Sequence, residues 1–361
     1  MKETILTWAE RQSADFDELP LNSIDSTILS WMAYVQWPAW LTAVSGREGT
    51  AFRDAVFDSD FTDMFSRMYG PERSRKLYLL LTRSRRFCDV RICLFRQIDD
   101  EERQMQYASL TYLLPNGDIY VAFRGTDNSL VGWKEDFNMA YECPIPSQSE
   151  AQAYLEQAAA LTDGRIYVGG HSKGGNLAVY AASSADPCTA GRIEHVWSHD
   201  GPGFPASFYQ SPGYRRIRER ITKTVPQSSL FGLIMNGNEV LTIVRSDSIS
   251  FLQHYPFNWR TDGTDFVRVD RLSPDALFFS RVCSSILEKL TVAQRSLFID
   301  TVYEMIRESG FRTADGVMRM LPLAVARISR KARECGPEVR DNLEKVNSVI
   351  RQAVRESLIP R

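Results

Sequence analysis

An α/β fold, with a mostly parallel sheet covered by helices on both faces, is what this chain predicts, and three observations carry the prediction. Between residues 165 and 244 apolar runs of strand length alternate with helix-length segments, the rhythm of parallel strands joined by helical crossovers. An Asn116-Gly117 pair separates strand-like runs at 107–114 and 118–123, and Asn-Gly supplies positive φ cheaply, so 107–123 reads as a β-hairpin. Finally, the β-forming run Ile166-Tyr167-Val168 meets the turn Gly170-His171-Ser172-Lys173-Gly174, and residues 176–182 directly after it are helix-compatible.

Taken in order, the region 1–85 reads as helices and loops. Residues 23–35 place Ile24, Ile28, Leu29, Met32 and Val35 at helical spacing, while 52–82 has a less regular apolar pattern broken at Gly70-Pro71. This region is expected to cover one side of the sheet or to border the site. From Val90 the period shifts to strands: 90–96, then the hairpin, then helix 150–161, strand 165–168, helix 174–182, strand 193–198, helix 212–219, and strands 221–225 and 239–244. Antiparallel strands therefore lead and parallel strands follow, an arrangement that presents ligands at the carboxyl ends of the strands. Past Asp270 the pattern is helical, at 275–290, 292–308, 314–329 and 339–358, punctuated by Gly310, Pro322 and Gly336-Pro337. The stripe Leu297, Phe298, Val302, Met305 and Ile306 reads as a packing face. Two units are expected: a domain over 1–269, and a helical extension over 270–361 packed on it.

Composition narrows the function classes. With 43% apolar and 24% charged residues the chain is globular, and a net charge of -2 from 43 basic and 45 acidic residues carries no electrostatic footprint for nucleic acid. No run approaches the roughly 18 apolar residues of a membrane span. The start lacks the basic-then-apolar order of a secretory signal, and six scattered cysteines form no CxxC pair, so reduced thiols in a cytoplasm are expected. No zinc-ligand spacing and no phosphate-cradling loop occurs, so neither metal nor cofactor is expected. Oligomeric state stays open.

The chemistry centres on Ser172. Strand, sharp turn and helix are the geometry of a nucleophile elbow, in which flanking glycines let strand and helix approach while the serine oxygen projects. The helix start behind it favours developing negative charge, which nominates the backbone N–H of Lys173 as an oxyanion donor. The strand 118–123 ends in Arg124-Gly125-Thr126-Asp127 and should run beside the elbow, which nominates the backbone N–H of Thr126, assisted by its hydroxyl, as the second donor. Of the four histidines, His171 adjoins the serine and is a poor base, His195 lies within a strand, and His199 is placed to line the site. His254, late in the chain after the strand 239–244, is the candidate general base. For the acid that orients it, Asp200 at the strand end before Gly201 is preferred, with Asp247 as the alternative.

The run Val121-Ala122-Phe123-Arg124-Gly125-Thr126, then Trp133 and Asp136, then Gly170-His171-Ser172-Lys173-Gly174-Gly175 resembles the class 3 (fungal-type) lipase family of α/β hydrolases, and within it a bacterial branch, over roughly 107–259. The resemblance implies an α/β-hydrolase fold, a Ser-His-Asp site, an oxyanion donor at Thr126 and ester or acyl-lipid substrates. Two departures stand out. That family carries its acid after the strand at 221–225, but here the strand ends Lys223-Thr224-Val225-Pro226-Gln227-Ser228, with no carboxylate. Lys173 also replaces the apolar residue common there; a cation beside the serine suits a substrate with an anionic group, or it extends to solvent. Hydrolysis through an acyl-enzyme is the expected activity, with acyl transfer and a non-catalytic scaffold on the same fold as alternatives.

Overall fold

A computed structural model describes residues 2–38, 48–55, 63–237, 239–311, 313, 316–317 and 320–358. Its centre is an eight-stranded sheet in sequential order: β1 (Thr50–Ala51), β2 (Arg91–Asp100), β3 (Met105–Leu113), β4 (Ile119–Phe123), β5 (Ile166–His171), β6 (Ile193–His199), β7 (Ile221–Pro226) and β8 (Leu241–Val244). Pairings from β1 to β4 are antiparallel and those from β4 to β8 parallel. This is the α/β-hydrolase architecture, a central sheet with N-terminal and C-terminal helical regions.

Side chains on β4 show why both faces must be covered. Successive residues point to opposite faces of a strand. Ile119, Val121 and Phe123 enter one apolar cluster, while Tyr120 and Ala122 enter another, and all five are fully buried. The first cluster is closed by α5 (Pro146–Ala159) and α6 (Lys173–Ser184), through Leu155, Ala158, Leu177 and Ala181. The second is closed by α1 (Ile5–Arg11), α2 (Ser23–Met32) and α3 (Pro71–Leu81), through Trp8, Ile28, Trp31 and Leu77. Each large apolar side chain so buried contributes about 2–3 kcal/mol, and this continuous double core holds the strand ends in fixed register. Of the two placements expected for the N-terminal region, it takes the first and covers one sheet face, and Tyr34 just beyond α2 reaches His171 at the end of β5.

Several boundaries differ from the sequence reading, for physical reasons. Strand β5 continues past Val168 through Gly169, Gly170 and His171, because glycine costs a strand propensity but the parallel ladder to β4 and β6 still pairs these residues. A helix absent from the sequence reading, α4 (Leu130–Asn138), follows the Thr126 loop and is capped by the Ser129 hydroxyl, which accepts from Gly132 N at 3.2 Å. Edge strand β1 is too short to leave a periodic signal. The short helices α7 (Pro187–Arg192), α8 (Ala206–Tyr209) and α9 (Pro212–Ile217) link the parallel strands. The C-terminal helical region comprises α10 (Pro274–Lys289), α11 (Val292–Glu308), α12 (Leu321–Glu334) and α13 (Pro337–Leu358), with α11 packed on α4. The helix expected over 314–329 lies partly outside the described residues and ends five residues later, at Glu334. No helix among the described residues is long and apolar enough to cross a membrane.

Candidate active site

The carboxyl ends of four parallel strands converge on one point. The ladders align Phe123 with Gly170, His171 with His199, and His199 with Thr224, so the loops leaving β4, β5, β6 and β7 all emerge together. Ser172 sits between β5 and α6 with φ 59° and ψ -132°, a conformation that L residues avoid and that persists only where the surroundings enforce it. Its backbone N–H donates to His199 O at 2.9 Å. Close packing dictates the neighbours. A Cβ on Gly174 would lie 2.0 Å from Phe123 O, so the helix start can press against the end of β4 only without a side chain. A Cβ on Gly125 would lie 2.1 Å from Tyr34 Oη and 2.9 Å from Ser172 Cβ, which places the Thr126 loop directly against the serine.

The loop after β7 offers no carboxylate but holds one from the end of β6. Asp200, fully buried at the end of β6, bonds through Oδ2 to His254 Nδ1 at 2.7 Å. Its other oxygen accepts from Ser229 Oγ at 2.5 Å and from Gly232 N at 3.2 Å, both in the loop after β7. With a carboxylate at Nδ1, the Nδ1–H tautomer of His254 is favoured and Nε2 is left as the acceptor. Asp247 is elsewhere, on the surface between Arg260 at 2.7 Å and Lys2 at 3.4 Å.

Two other histidines acquire roles that the sequence does not reveal. His171 is buried, its Nε2–H donating to the backbone carbonyl of His254 at 2.7 Å while Tyr34 Oη donates to Nδ1 at 3.1 Å. The two imidazoles lie against each other, tilted by 39° with centroids 4.3 Å apart. Burial, reinforced by the neighbouring His254, pushes the pKa of His171 well below the usual histidine range, so it stays neutral and grips the loop that carries His254. His199 does not line the site. Its ring is turned into α2, bonds Ser26 Oγ at 2.8 Å, and is held neutral by burial with a pKa lowered to about 3.

Three further expectations need correction or sharpening. Lys173 neither reaches solvent nor offers its charge to a ligand: it is 1% exposed, and its Nζ donates to Glu135 Oε2 at 2.7 Å and to Gln106 O at 2.7 Å. A buried ammonium needs such a partner, because desolvating it alone costs far more than folding supplies. The hydroxyl of Thr126 is likewise committed, donating to Asp136 Oδ1 at 2.7 Å, which leaves its backbone N–H alone of the two expected donors. Burial raises the Asp136 carboxyl to about 6 even though Lys173 and Thr126 oppose the shift. Among the described residues no bond joins Ser172 to His254, whose ring is held by Asp200; such contacts are commonly loose before a substrate is bound.

A family model described as Mbeg1-like matches residues 81–304, more than half of the chain. The chain belongs to that family. The match includes every strand from β2 to β8 together with α10 and most of α11, so the Mbeg1-like unit extends beyond the sheet into the C-terminal helices. No curated protein matches the chain. Among solved structures, M37 lipase matches at 13% identity and TM-score 0.37, covering 58% of this chain and 68% of its own. Rhizomucor miehei lipase, in a native propeptide complex, matches at 13% identity and TM-score 0.31, covering 53% and 68%. Likeness at that level bears on neither the site nor the substrate of this Mbeg1-like chain.

Proposed function

We propose that this protein is a serine hydrolase that cleaves carboxylic ester or acyl-lipid substrates through an acyl-enzyme, with Ser172 as nucleophile, His254 as general base and Asp200 as the orienting acid. The observation that carries the reading is the His254–Asp200 bond of 2.7 Å, built from a loop and a strand end 54 residues apart and brought beside the strained Ser172 turn. A purely structural Asp beside glycine would bond its own turn; this one is fully buried and spends one oxygen on an imidazole that is itself 17% exposed.

The mechanism follows from the atoms. Ser172 Oγ attacks the acyl carbonyl as its proton passes to His254 Nε2, and the Asp200 carboxylate stabilises the imidazolium through Nδ1–H. The tetrahedral oxyanion forms between the backbone N–H groups of Thr126 and Lys173, which have no internal partner among the described residues. His254 then returns the proton to the departing alkoxide, and the same residues activate water to release the acid. Neutral His171 does not compete for the proton, because its one acceptor nitrogen, Nδ1, is taken by the Tyr34 hydroxyl and burial disfavours its charged form. Turnover of p-nitrophenyl esters from acetate to palmitate, with Ser172→Ala as the control, tests the reading. Activity should vanish in the variant while its circular dichroism is unchanged. Equal turnover in the variant would reject it.

A further inference from the structure

Glu135 is fully buried, and its two carboxylate oxygens accept from three separate parts of the fold. Oε2 accepts from Lys173 Nζ at 2.7 Å and from Gln106 N on β3 at 3.0 Å, and Oε1 accepts from Ser147 N at the start of α5 at 3.0 Å. Lys173 returns the connection by donating to Gln106 O at 2.7 Å. The residue whose backbone N–H opens α6 beside Ser172 is thus tied by its own side chain to α4 and β3. A surface lysine at this position would leave that peptide plane held by the helix alone.

We infer that Glu135 is a positioning residue for the oxyanion site, fixing the Lys173 amide through the buried Glu135–Lys173 pair. This rests on the hydrolase reading and adds to it a residue that touches neither substrate nor Ser172. The fold reason is the register of α4: Glu135 faces Lys173 while the next residue, Asp136, takes the Thr126 hydroxyl, so one turn of one helix sets both residues whose amides face the oxyanion. Replacing both charged partners by apolar residues leaves no buried charge unpaired, so it costs less stability than removing either one alone. Donor placement is less forgiving, since transition-state stabilisation falls steeply with small displacements.

The test compares Lys173→Met, Glu135→Met and the double variant in the full chain. Readouts are melting temperature, kcat and KM on p-nitrophenyl butyrate, and inhibition by a butyl trifluoromethyl ketone, which forms the tetrahedral adduct. In the double variant the melting temperature should recover part of what either single variant loses, because no charge is left unpaired although Gln106 N and Ser147 N lose their acceptor. Its kcat should stay about tenfold to a hundredfold low with KM little changed, and inhibitor affinity should fall in parallel. Recovery of kcat and inhibitor affinity together with stability would overturn the positioning role while leaving the hydrolase reading intact. A wild-type protein that neither turns over esters nor reacts with a fluorophosphonate would overturn both.

Discussion

Two buried cation–carboxylate pairs in this molecule look alike and do different work. In the N-terminal region Arg86 meets Asp25 in a bidentate contact, at 2.6 and 3.0 Å, with both side chains fully buried. Arg86 also binds the carbonyls of Ala14, Asp15 and Leu19 and lies over the Phe16 ring, while Asp25 accepts from Trp8 Nε1. Every one of those partners is scaffold, so the pair closes the loop between α1 and α2 against the turn after α3. The Lys173–Glu135 pair is equally buried, but one of its members opens α6 directly beside Ser172. Burial and partner count do not separate the two; position relative to the strained turn does.

Substitutions can break the comparison, and the largest expected effect falls on neither pair but on Asp200. Asp200→Asn should lower kcat by about a thousandfold to ten-thousandfold, because an amide at Nδ1 no longer stabilises the imidazolium or fixes its tautomer. Steady-state kinetics at constant folded concentration checks this. Arg86→Met should cost about 3–5 kcal/mol of stability by stranding Asp25, yet leave kcat of the folded fraction unchanged. Urea unfolding alongside active-site titration separates the two quantities, and a lost kcat would mean that the N-terminal pair also shapes the site.

A smaller effect concerns Asp136. Burial raises its carboxyl to about 6, so the folded state holds a proton that the unfolded chain has already released between about pH 4 and 6, and stability falls as pH rises through that window. Asp136→Asn should therefore stabilise the protein at pH 8 by about 1–3 kcal/mol and hardly at all at pH 4. Thermal melts at the two pH values measure the difference; an equal gain at both would show that the carboxyl is not held protonated by burial. Smallest of all, Asp247→Asn should change kcat less than about twofold, since it removes only surface pairs with Lys2 and Arg260.

How much was legible in sequence follows the range of each interaction. The strands β2 to β8, the hairpin at Asn116-Gly117 and the turn between β5 and α6 are encoded within a few residues, by period and by glycine sterics, and the sequence located them, with some strand ends displaced. The proximity of His254 to Asp200 was inferable because chain order and strand ends constrain where a histidine and a carboxylate meet in a parallel sheet. The direction of Lys173 was not, because it depends on Glu135, 38 residues away on α4, a helix absent from the sequence reading. In the structure Lys134, Glu135 and Asp136 bond Asp300, Lys173 and Thr126 respectively, three partners that no local pattern joins. The support of Asp200 by Ser229 was hidden for the same reason, since a serine after a strand looks like any other turn residue.

The central claim is that the strained residue at the end of β5 is the nucleophile. Treating the full-length protein with a fluorophosphonate probe and mapping the adduct by peptide mass spectrometry tests it directly. A single modification on Ser172, lost in Ser172→Ala and strongly slowed in Asp200→Asn, is the expected result. Labelling that survives Ser172→Ala, or a wild-type protein that takes up no probe, would contradict it.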